Sequence, residues 1–300
     1  MTSRTRDSGQ TAVVAILFMT VLLGMSAVVL DVGRWYRDDR RLQATMDAAA
    51  LAGAQALPDD PGGASALATE YSDKNGGGLD AVEITTTKIA GDTIEVTGSR
   101  PSQGFFTGVF GIDSVTVNAG AKARMGVLSS ARWAAPVAVD EQHPFLQGKR
   151  WGEATELELD KVGPGAYRLV NIDGSYGGEN PHILGDWIRQ GYEGYMPLGW
   201  YYSDPGAKYN TNPGFKSALD EVAAEGKELL FPVYRETRAQ GAGFEYEIVG
   251  WVGFVVTGHE IKGSKNSKIY GYFTQVIWEG IFSEDESADD FGASAVSLIE

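Results

Sequence analysis

The chain contains no cysteine, and this absence excludes several kinds of site at once. Among its 300 residues there are only three histidines, and no proline precedes Pro58. Without cysteine there is no disulfide framework, no thiol nucleophile and no thiolate metal ligand, so the soluble part must rely on its hydrophobic core. Without proline, nothing in the backbone forces a helix to break before Pro58.

Basic residues are scarce relative to acidic ones. The chain has 25 Lys and Arg against 40 Asp and Glu, a formal net charge of −15. Because surfaces that bind nucleic acid are basic, this balance argues against nucleic acid as a partner. Charge of either sign is absent from Thr11 to Leu30. As a helix this run spans about 30 Å, the hydrocarbon thickness of a bilayer.

We therefore predict a transmembrane helix that remains as an anchor, since no small-residue cleavage site closes the apolar run. Trp35 and Tyr36 follow where an interfacial anchor is expected. Asp31, Arg34, Asp38 and Arg41 lie within pairing distance on the same helix, and we expect exposed ion pairs of little energetic weight. Arginines are fewer before the apolar run than after it, so the positive-inside rule does not favour a cytoplasmic N-terminus.

Beyond the apolar run, small and apolar residues recur at three- and four-residue steps and therefore share one helix face. We predict that this face, together with Gly24 in the apolar run, packs the helix against a partner. The partner is either the chain's own soluble part or a neighbouring subunit. The residues of the predicted packing face are Leu42, Met46, Ala49, Ala50, Gly53 and Leu57.

Three short motifs occur in the first 57 residues. They are Gly-Gln-Thr-Ala-Val at residues 9–13, Leu-Asp-Val-Gly-Arg at 30–34 and Asp-Ala-Ala-Ala-Leu-Ala-Gly-Ala at 47–54. In these motifs and their spacing the segment resembles the Tad (tight-adherence) pilus-assembly family of the TadE/TadG-like type. The resemblance implies a pilin-like, membrane-anchored envelope protein with its bulk outside the cytoplasm, and other pilus-assembly proteins as partners.

One position departs from the pattern of this family. Its pilin branch carries a glutamate five residues after the glycine at which a peptidase cleaves. Aligned on Gly9, that position is Val14. We therefore expect that Gly9 is not cut efficiently and that the leader is retained.

The whole chain is predicted to be an α+β protein in three parts. Residues 1–57 form the transmembrane and amphipathic stalk helix, 58–128 a small α+β module packed on the stalk, and 129–300 a larger β-rich, aromatic-rich outer domain. In the module we expect a helix over 64–74 and three strands, with a hairpin turn at Gly91-Asp92. The module strands are predicted over 82–89, 93–98 and 114–125.

In the outer domain, alternating apolar residues predict six strands and two helices. Two of these strands exceed ten residues, so we expect bulges near Gly250, Gly253 or Gly271. The predicted strands are 156–159, 167–172, 228–234, 245–257, 268–279 and 293–299, and the predicted helices are 182–190 and 214–224.

The sequence offers few residues for catalysis or metal binding. None of the three histidines, His143, His182 and His259, has a metal-ligand spacing. His182 and Asp186 are four residues apart on a predicted helix, which favours an exposed pair over a catalytic dyad. The stretch from Asp173 to Glu179 resembles a calcium loop, but Leu184 stands where a bidentate acid is required. We expect a glycine-rich turn there, and no cofactor, metal or catalytic residue.

Trp200, Tyr201 and Tyr202 are consecutive aromatic residues before a Pro-Gly turn. Exposed, they form a surface that recognises a glycan or a protein partner. Buried, they belong to the core, which is the more frequent state of large aromatic residues.

These patterns favour a non-enzymatic structural subunit of a Tad or type IV-like pilus system, assembling through its long N-terminal helix. Its expected partners are the membrane, the pilus-core helices of like subunits and assembly proteins. Two alternatives remain open. One is the major subunit of an extracellular filament. The other is a membrane-tethered adhesin whose outer domain binds carbohydrate.

Overall fold

The computed structural model of the chain describes residues 7–159, 161–163, 166–177, 181–204, 213–239, 243–262, 266–283 and 289–299. Within it the chain forms two compact units. One contains Met1–Arg124 and Ser297–Glu300, and the other contains Met125–Val296. Strands β3 and β15, defined below, contribute residues to both. The predicted boundaries after residues 57 and 128 remain a prediction.

A single helix, α1, opens the first unit and runs over Asp7–Ala54, 48 residues. It begins in the apolar run and continues through the charged and small-residue segments, as the absence of proline before Pro58 allows. A second helix, α2 (Pro61–Lys74), follows after a short turn. The side chain of Asp60 caps α2 by accepting a hydrogen bond of 2.8 Å from the backbone N–H of Gly63.

The sheet of the first unit begins with a hairpin. Strand β1 (Leu79–Thr85) pairs antiparallel with β2 (Thr93–Gln103), and β2 pairs antiparallel with β3 (Ser114–Ala131). A 3₁₀ turn over Thr107–Phe110 lies between β2 and β3. Apolar residues of β2 and β3 join residues of α1 and α2 in the core of this unit. Its buried members include Leu42, Met46, Ala64, Ala68, Ile94, Val96 and Ala123.

The second unit is built on a larger sheet. The order of its six strands is β4-β10-β11-β12-β5, with β9 paired to β11. Three helices belong to the same unit. The strands are β4 (Val139–Asp140), β5 (Ala154–Glu158), β9 (Gly199–Tyr202), β10 (Glu228–Arg238), β11 (Glu245–Glu260) and β12 (Lys268–Thr274). The helices are α3 (Pro144–Gln147), α4 (Pro181–Gln190) and α5 (Pro213–Glu225).

Aromatic rings fill the centre of the second unit, where Phe254 lies against Phe231 and Phe273 with ring centroids 5.3 and 5.2 Å away.

The remaining strands are short, except for the last. They are β6 (Lys161–Gly163), β7 (Ala166–Tyr167), β8 (Met196–Pro197), β13 (Val276–Ile277), β14 (Gly280–Phe282) and β15 (Ala293–Ile299).

The predicted α+β class with a long N-terminal apolar helix and a β-rich remainder is confirmed. Several predicted strands are wrong in extent. The strand expected over 82–89 is β1, Leu79–Thr85, and those expected over 93–98 and 114–125 continue to Gln103 and Ala131. The strand expected over 167–172 is reduced to the end of β7, because the following backbone is tied by isolated bridges at Leu169 and Val170. The strand expected over 268–279 is divided into β12 and β13. In the long strand β11 the pairing shifts register beside Gly250 and Gly258.

Candidate functional site on the N-terminal helix

The first part of α1 has little protein cover. From Val13 to Leu30 its large side chains are exposed, with Leu23 at 66% and Val29 at 69%. A Cβ built on Gly24 meets no described atom of another element within 4 Å. By length and composition α1 is suited to cross a membrane. This part of the helix therefore exposes apolar side chains over most of its surface.

The second part of α1 is covered on one face. The side chains of the predicted packing face are buried, and they lie against α2 and β2 of the same unit. Leu42, Met46, Ala49 and Ala50 have no accessible surface, and Leu57 retains 2%. The face therefore packs within the chain, and its part in contacts between subunits remains a prediction.

Gly53 is the point of closest approach on this face. A Cβ built there would lie 2.5 Å from Cδ1 of Ile94, 2.9 Å from the carbonyl oxygen of Ala64 and 3.2 Å from Cβ of Ala68. Since real contacts of this kind are longer than 3 Å, only glycine lets α1 lie this close to α2 and β2. Gly98 of β2 has the same function opposite Met46, whose Sδ would be 2.6 Å from an added Cβ.

Polar side chains connect the same part of α1 to the other elements of the unit. The Thr45 hydroxyl lies 3.0 Å from the carbonyl oxygen of Asn75 after α2. The Gln43 amide donates to the carbonyl oxygen of Gly120 on β3 at 2.9 Å. Ser102 of β2 donates to the carboxylate of Asp38 at 2.5 Å. These bonds fix the register of the helix along the sheet, which apolar packing alone specifies less strictly.

Asp31 connects α1 to the loop between β2 and β3. Its carboxylate accepts hydrogen bonds from the backbone N–H groups of Phe105, Phe106 and Thr107 at 2.9, 2.8 and 2.7 Å. Only 1% of Asp31 is accessible, so the expected exposed ion pair is wrong for this residue. Its side chain is used for backbone capping instead. The ion pairs of Asp38 with Arg34 and Arg41 do form, at 4.0 and 3.9 Å.

A groove runs along α1 beside this loop. Phe106 and the residues of the apolar run form its walls, and Gly24 lies among them. The other lining residues are Thr20, Leu23, Ser26, Ala27 and Leu30. The groove and the Asp31 contact were missed by sequence reasoning. The available signal was an aspartate directly at the end of an uncharged run, where a charge needs a partner or water.

The aromatic cluster of β9 is divided between core and surface. Tyr201 is buried, which raises the pKa of its hydroxyl to about 12, and it donates to the carbonyl oxygen of Pro197 at 2.8 Å. The Arg238 guanidinium lies 4.1 Å from the ring centroid of Trp200. The half-buried Tyr202 contacts Tyr176 edge to face, with ring centroids 5.0 Å apart. The contiguous aromatic surface considered from the sequence is therefore interrupted at Tyr201.

The other residues considered for metal binding or catalysis form hydrogen bonds or ion pairs with neighbouring groups where the structure describes them. Asp173 accepts from the backbone N–H of Ser175 at 2.9 Å, an arrangement typical of a turn. Residues 178–180 and the side chain of His182 lie outside the described residues, so the His182–Asp186 pair stays a prediction. His259 Nε2 lies 3.0 Å from Asp220. In the described part of the chain no group of three or more acidic or histidine side chains is arranged to hold a metal.

A comparison with protein-family models matches residues 9–56 to the Tad family, described as Flp pilus-assembly TadE/G-like. The matched segment is about a sixth of the chain and coincides with the part in which the resemblance was seen. The family is one of pilus structure and assembly. No curated protein and no solved structure matches the chain.

Proposed function

We propose that this chain is a non-enzymatic, pilin-like structural subunit of a Tad-type pilus system, anchored in the cytoplasmic membrane by α1. The outer part of the chain projects outside the cytoplasm. The partners are the membrane, the α1 helices of like subunits and other proteins of pilus assembly. The family match over residues 9–56 supports the connection to pilus assembly.

The observation that carries the proposal is the asymmetry of α1. One uninterrupted helix is exposed and uncharged over residues 11–30, whereas its later turns are packed under α2 and β2. The packed turns hold the soluble module, so the exposed turns are available for lipid or for other helices. Because an uncovered apolar surface of this length is unfavourable in water, it requires one of these two partners.

Assembly is then an exchange of partners along residues 11–30. In the membrane these side chains lie against lipid, and in a filament they lie against the helices of neighbouring subunits. Lipid is as apolar as leucine, so close packing and small residues decide between the two states. Gly24 is open to such an approach, since no described atom of another element occupies the space beside it.

Removal of residues 1–30 tests the anchor. We expect the full chain to float with phospholipid vesicles, and the shortened chain to be soluble and monodisperse on gel filtration. Near-ultraviolet circular dichroism of both proteins controls for folding, because α2 and β2 pack on later turns of α1 and the signals of the buried aromatic residues should persist. Stable flotation of the folded, shortened chain would refute the anchor. Electron microscopy of the full chain after detergent removal distinguishes a filament-forming subunit from an anchored one that forms none.

The tethered adhesin remains the second candidate, and Tyr176 carries it. Its ring is 67% exposed and contacts Tyr202. The exposed ring of Tyr176, in contact with the half-buried Tyr202, provides a surface on which a sugar ring can stack. Binding of glycans by residues 129–300, abolished in Tyr176→Ala, would favour the adhesin. The absence of binding in a glycan array would favour the structural subunit.

A further inference from the structure

The loop from Gly104 to Asp113, which connects β2 to β3, exposes large apolar side chains in a fixed backbone. Phe105 is 75% exposed, and Phe106 and Ile112 are also exposed. The loop is closed by hydrogen bonds from Gly104 N–H to Asp113 O at 2.9 Å and from Ile112 N–H to Thr107 O at 3.1 Å. Neighbouring exposed apolar side chains of this kind mark a contact site for a protein partner or a membrane.

The position of the loop along α1 is set by Asp31. Its carboxylate receives three consecutive backbone N–H groups of the loop, from Phe105 to Thr107. Asp31 is the residue directly after the uncharged run that ends at Leu30. The loop is therefore attached to the helix at the level where the apolar run ends.

From this attachment Phe106 reaches back along the apolar run. It lines one groove with Leu30, Ala27 and Leu23. Thr20, the first residue of its wall, precedes Asp31 by eleven residues, so the groove extends about 16 Å along the axis toward the N-terminus. The ring consequently lies beside turns of α1 that the anchor places in the bilayer.

The hydrogen bonds to Asp31 also lower the free-energy cost of placing this irregular backbone beside lipid. Irregular backbone is unfavourable in lipid because its N–H groups find no water. Here three of those groups are satisfied by one carboxylate that is itself hidden from solvent.

We propose that the loop from Gly104 to Asp113 is a second membrane contact, in which Phe105 and Phe106 enter the lipid beside α1 and Asp31 is the residue that positions them. This inference rests on the proposed membrane anchor. The loop does not hold the chain on the membrane by itself, because two aromatic side chains bury less apolar surface than the single acyl chain that gives only marginal binding. It fixes the height and rotation of the soluble module above the bilayer.

The absence of cysteine makes a direct test straightforward. A nitroxide is attached to the cysteine of the Phe105→Cys variant of the full chain. The labelled protein is then reconstituted into vesicles of phosphatidylcholine and phosphatidylglycerol. The comparison site is Ile89→Cys in the turn between β1 and β2, at the far end of β2 and about 30 Å away. Phe105 donates only its backbone N–H to Asp31, so the substitution leaves that bond intact.

We expect the nitroxide at position 105 to be several-fold more accessible to oxygen than to a water-soluble nickel chelate, and the order to reverse at position 89. Equal behaviour of the two sites would overturn the proposal. Shielding of position 105 from both reagents would also overturn it, because it would show that a second copy of the chain covers the loop.

The role of Asp31 is tested by Asp31→Asn in the same labelled chain. An amide accepts fewer of the three N–H groups, so we expect the oxygen preference at position 105 to fall several-fold. Asp39→Asn is the matched control, since it removes the same charge from α1 and Asp39 forms no hydrogen bond with the described loop. An unchanged label in Asp31→Asn, or an equal change in Asp39→Asn, would contradict the positioning role.

Vesicle flotation separates this inference from the anchor. If the unlabelled full chain does not float, the anchor and the loop contact both fail. If it floats while the label at position 105 remains in water, the anchor stands and only the loop contact is wrong.

Discussion

The two parts of α1 belong to one helix but have opposite environments. Residues 11–30 carry large aliphatic side chains on every face and touch little of the protein. Residues 42–54 carry mainly small residues on one face and are packed under α2 and β2. Both parts are apolar, so hydrophobicity alone does not decide which of them the protein covers.

The difference lies in how closely another element can approach. Small residues at three- and four-residue steps let other elements approach the helix closely, and Ile94 and Ala68 do so at Gly53, near the end of α1. The uncovered part offers one glycine, Gly24, between large side chains. A continuous small-residue strip thus recruits the chain's own module, whereas the bulky part is left for lipid or for the helices of other subunits.

The largest effect is expected when the same glycine substitution is made in each part. Gly53→Leu forces a side chain against the carbonyl oxygen of Ala64, which belongs to the backbone and cannot rotate away. We expect a loss of at least about 3 kcal/mol, at or above the usual range for overpacking. Gly24→Leu meets open space and should leave the melting temperature in detergent unchanged.

Two results would contradict this contrast. Similar melting temperatures for Gly53→Leu and the unmodified chain would show that α1 is not held under α2. A loss in Gly24→Leu as large as that in Gly53→Leu would show that the first part is covered. Gln55→Leu adds a control in the turn directly after α1, where the side chain is exposed and the change should be mild.

A methionine pair probes the same contrast by removing volume. Met46 is fully buried, and Met46→Ala leaves a cavity between α1 and β2. We expect a loss of about 2–3 kcal/mol, at the lower end of the range for such truncations. Met19 is 64% exposed, so Met19→Ala should have no measurable effect in detergent. Equal shifts of the two melting temperatures would mean that the two environments do not differ.

Much of this contrast was accessible from sequence, because it depends on local patterns. The uncharged run, the missing proline and the steps from Leu42 to Leu57 predicted the long helix and its packing face. Strand β15 was predicted over its observed range, and α4 and α5 to within one residue at each end. These elements follow from side-chain periodicity, which the sequence displays directly.

The contact of Asp31 was not accessible in this way. It joins residues 74 to 76 positions apart in the sequence. The Asp31 carboxylate accepts only from backbone N–H groups, which every residue except proline possesses. No residue type in the loop therefore signals its partner. For the same reason Asp31 was assigned to an ion pair, the interaction that helix spacing does suggest.

Acid should lower the stability of the module that packs on α1. It should leave membrane binding by residues 11–30 unchanged. Asp92 is buried, which opposes its ionisation, but it accepts backbone N–H groups of Thr87, Ile89 and Lys88, and its pKa is lowered. A lowered pKa contributes stability above the ordinary aspartate range, and this stability is lost as the pH falls through the folded-state value. Asp92→Asn should cost about 1–2 kcal/mol at pH 7.

The measurement is the melting temperature of the full chain in detergent between pH 7 and pH 3. We expect the acid-induced decrease to be smaller in Asp92→Asn than in the unmodified chain, because the substituted side chain does not titrate. Flotation with vesicles should persist over the same range, since residues 11–30 contain no ionisable group. Parallel decreases in the two proteins would exclude Asp92 as a contributor.

The smallest effect is expected from a threonine pair that differs only in where the hydroxyl is directed. Thr20 donates to the carbonyl oxygen of Ile16 in its own helix, at 2.9 Å. The Thr45 hydroxyl also reaches Asn75, outside the helix. Thr45→Val keeps shape and helix propensity but removes that connection, so a loss of about 0.5–1 kcal/mol is expected. Thr20→Val removes a bond that joins no two elements, and the melting temperature should not change. If both variants lose the same amount, the hydroxyl of Thr45 contributes nothing to docking, and the register of α1 on its module depends on apolar packing and on the remaining polar contacts.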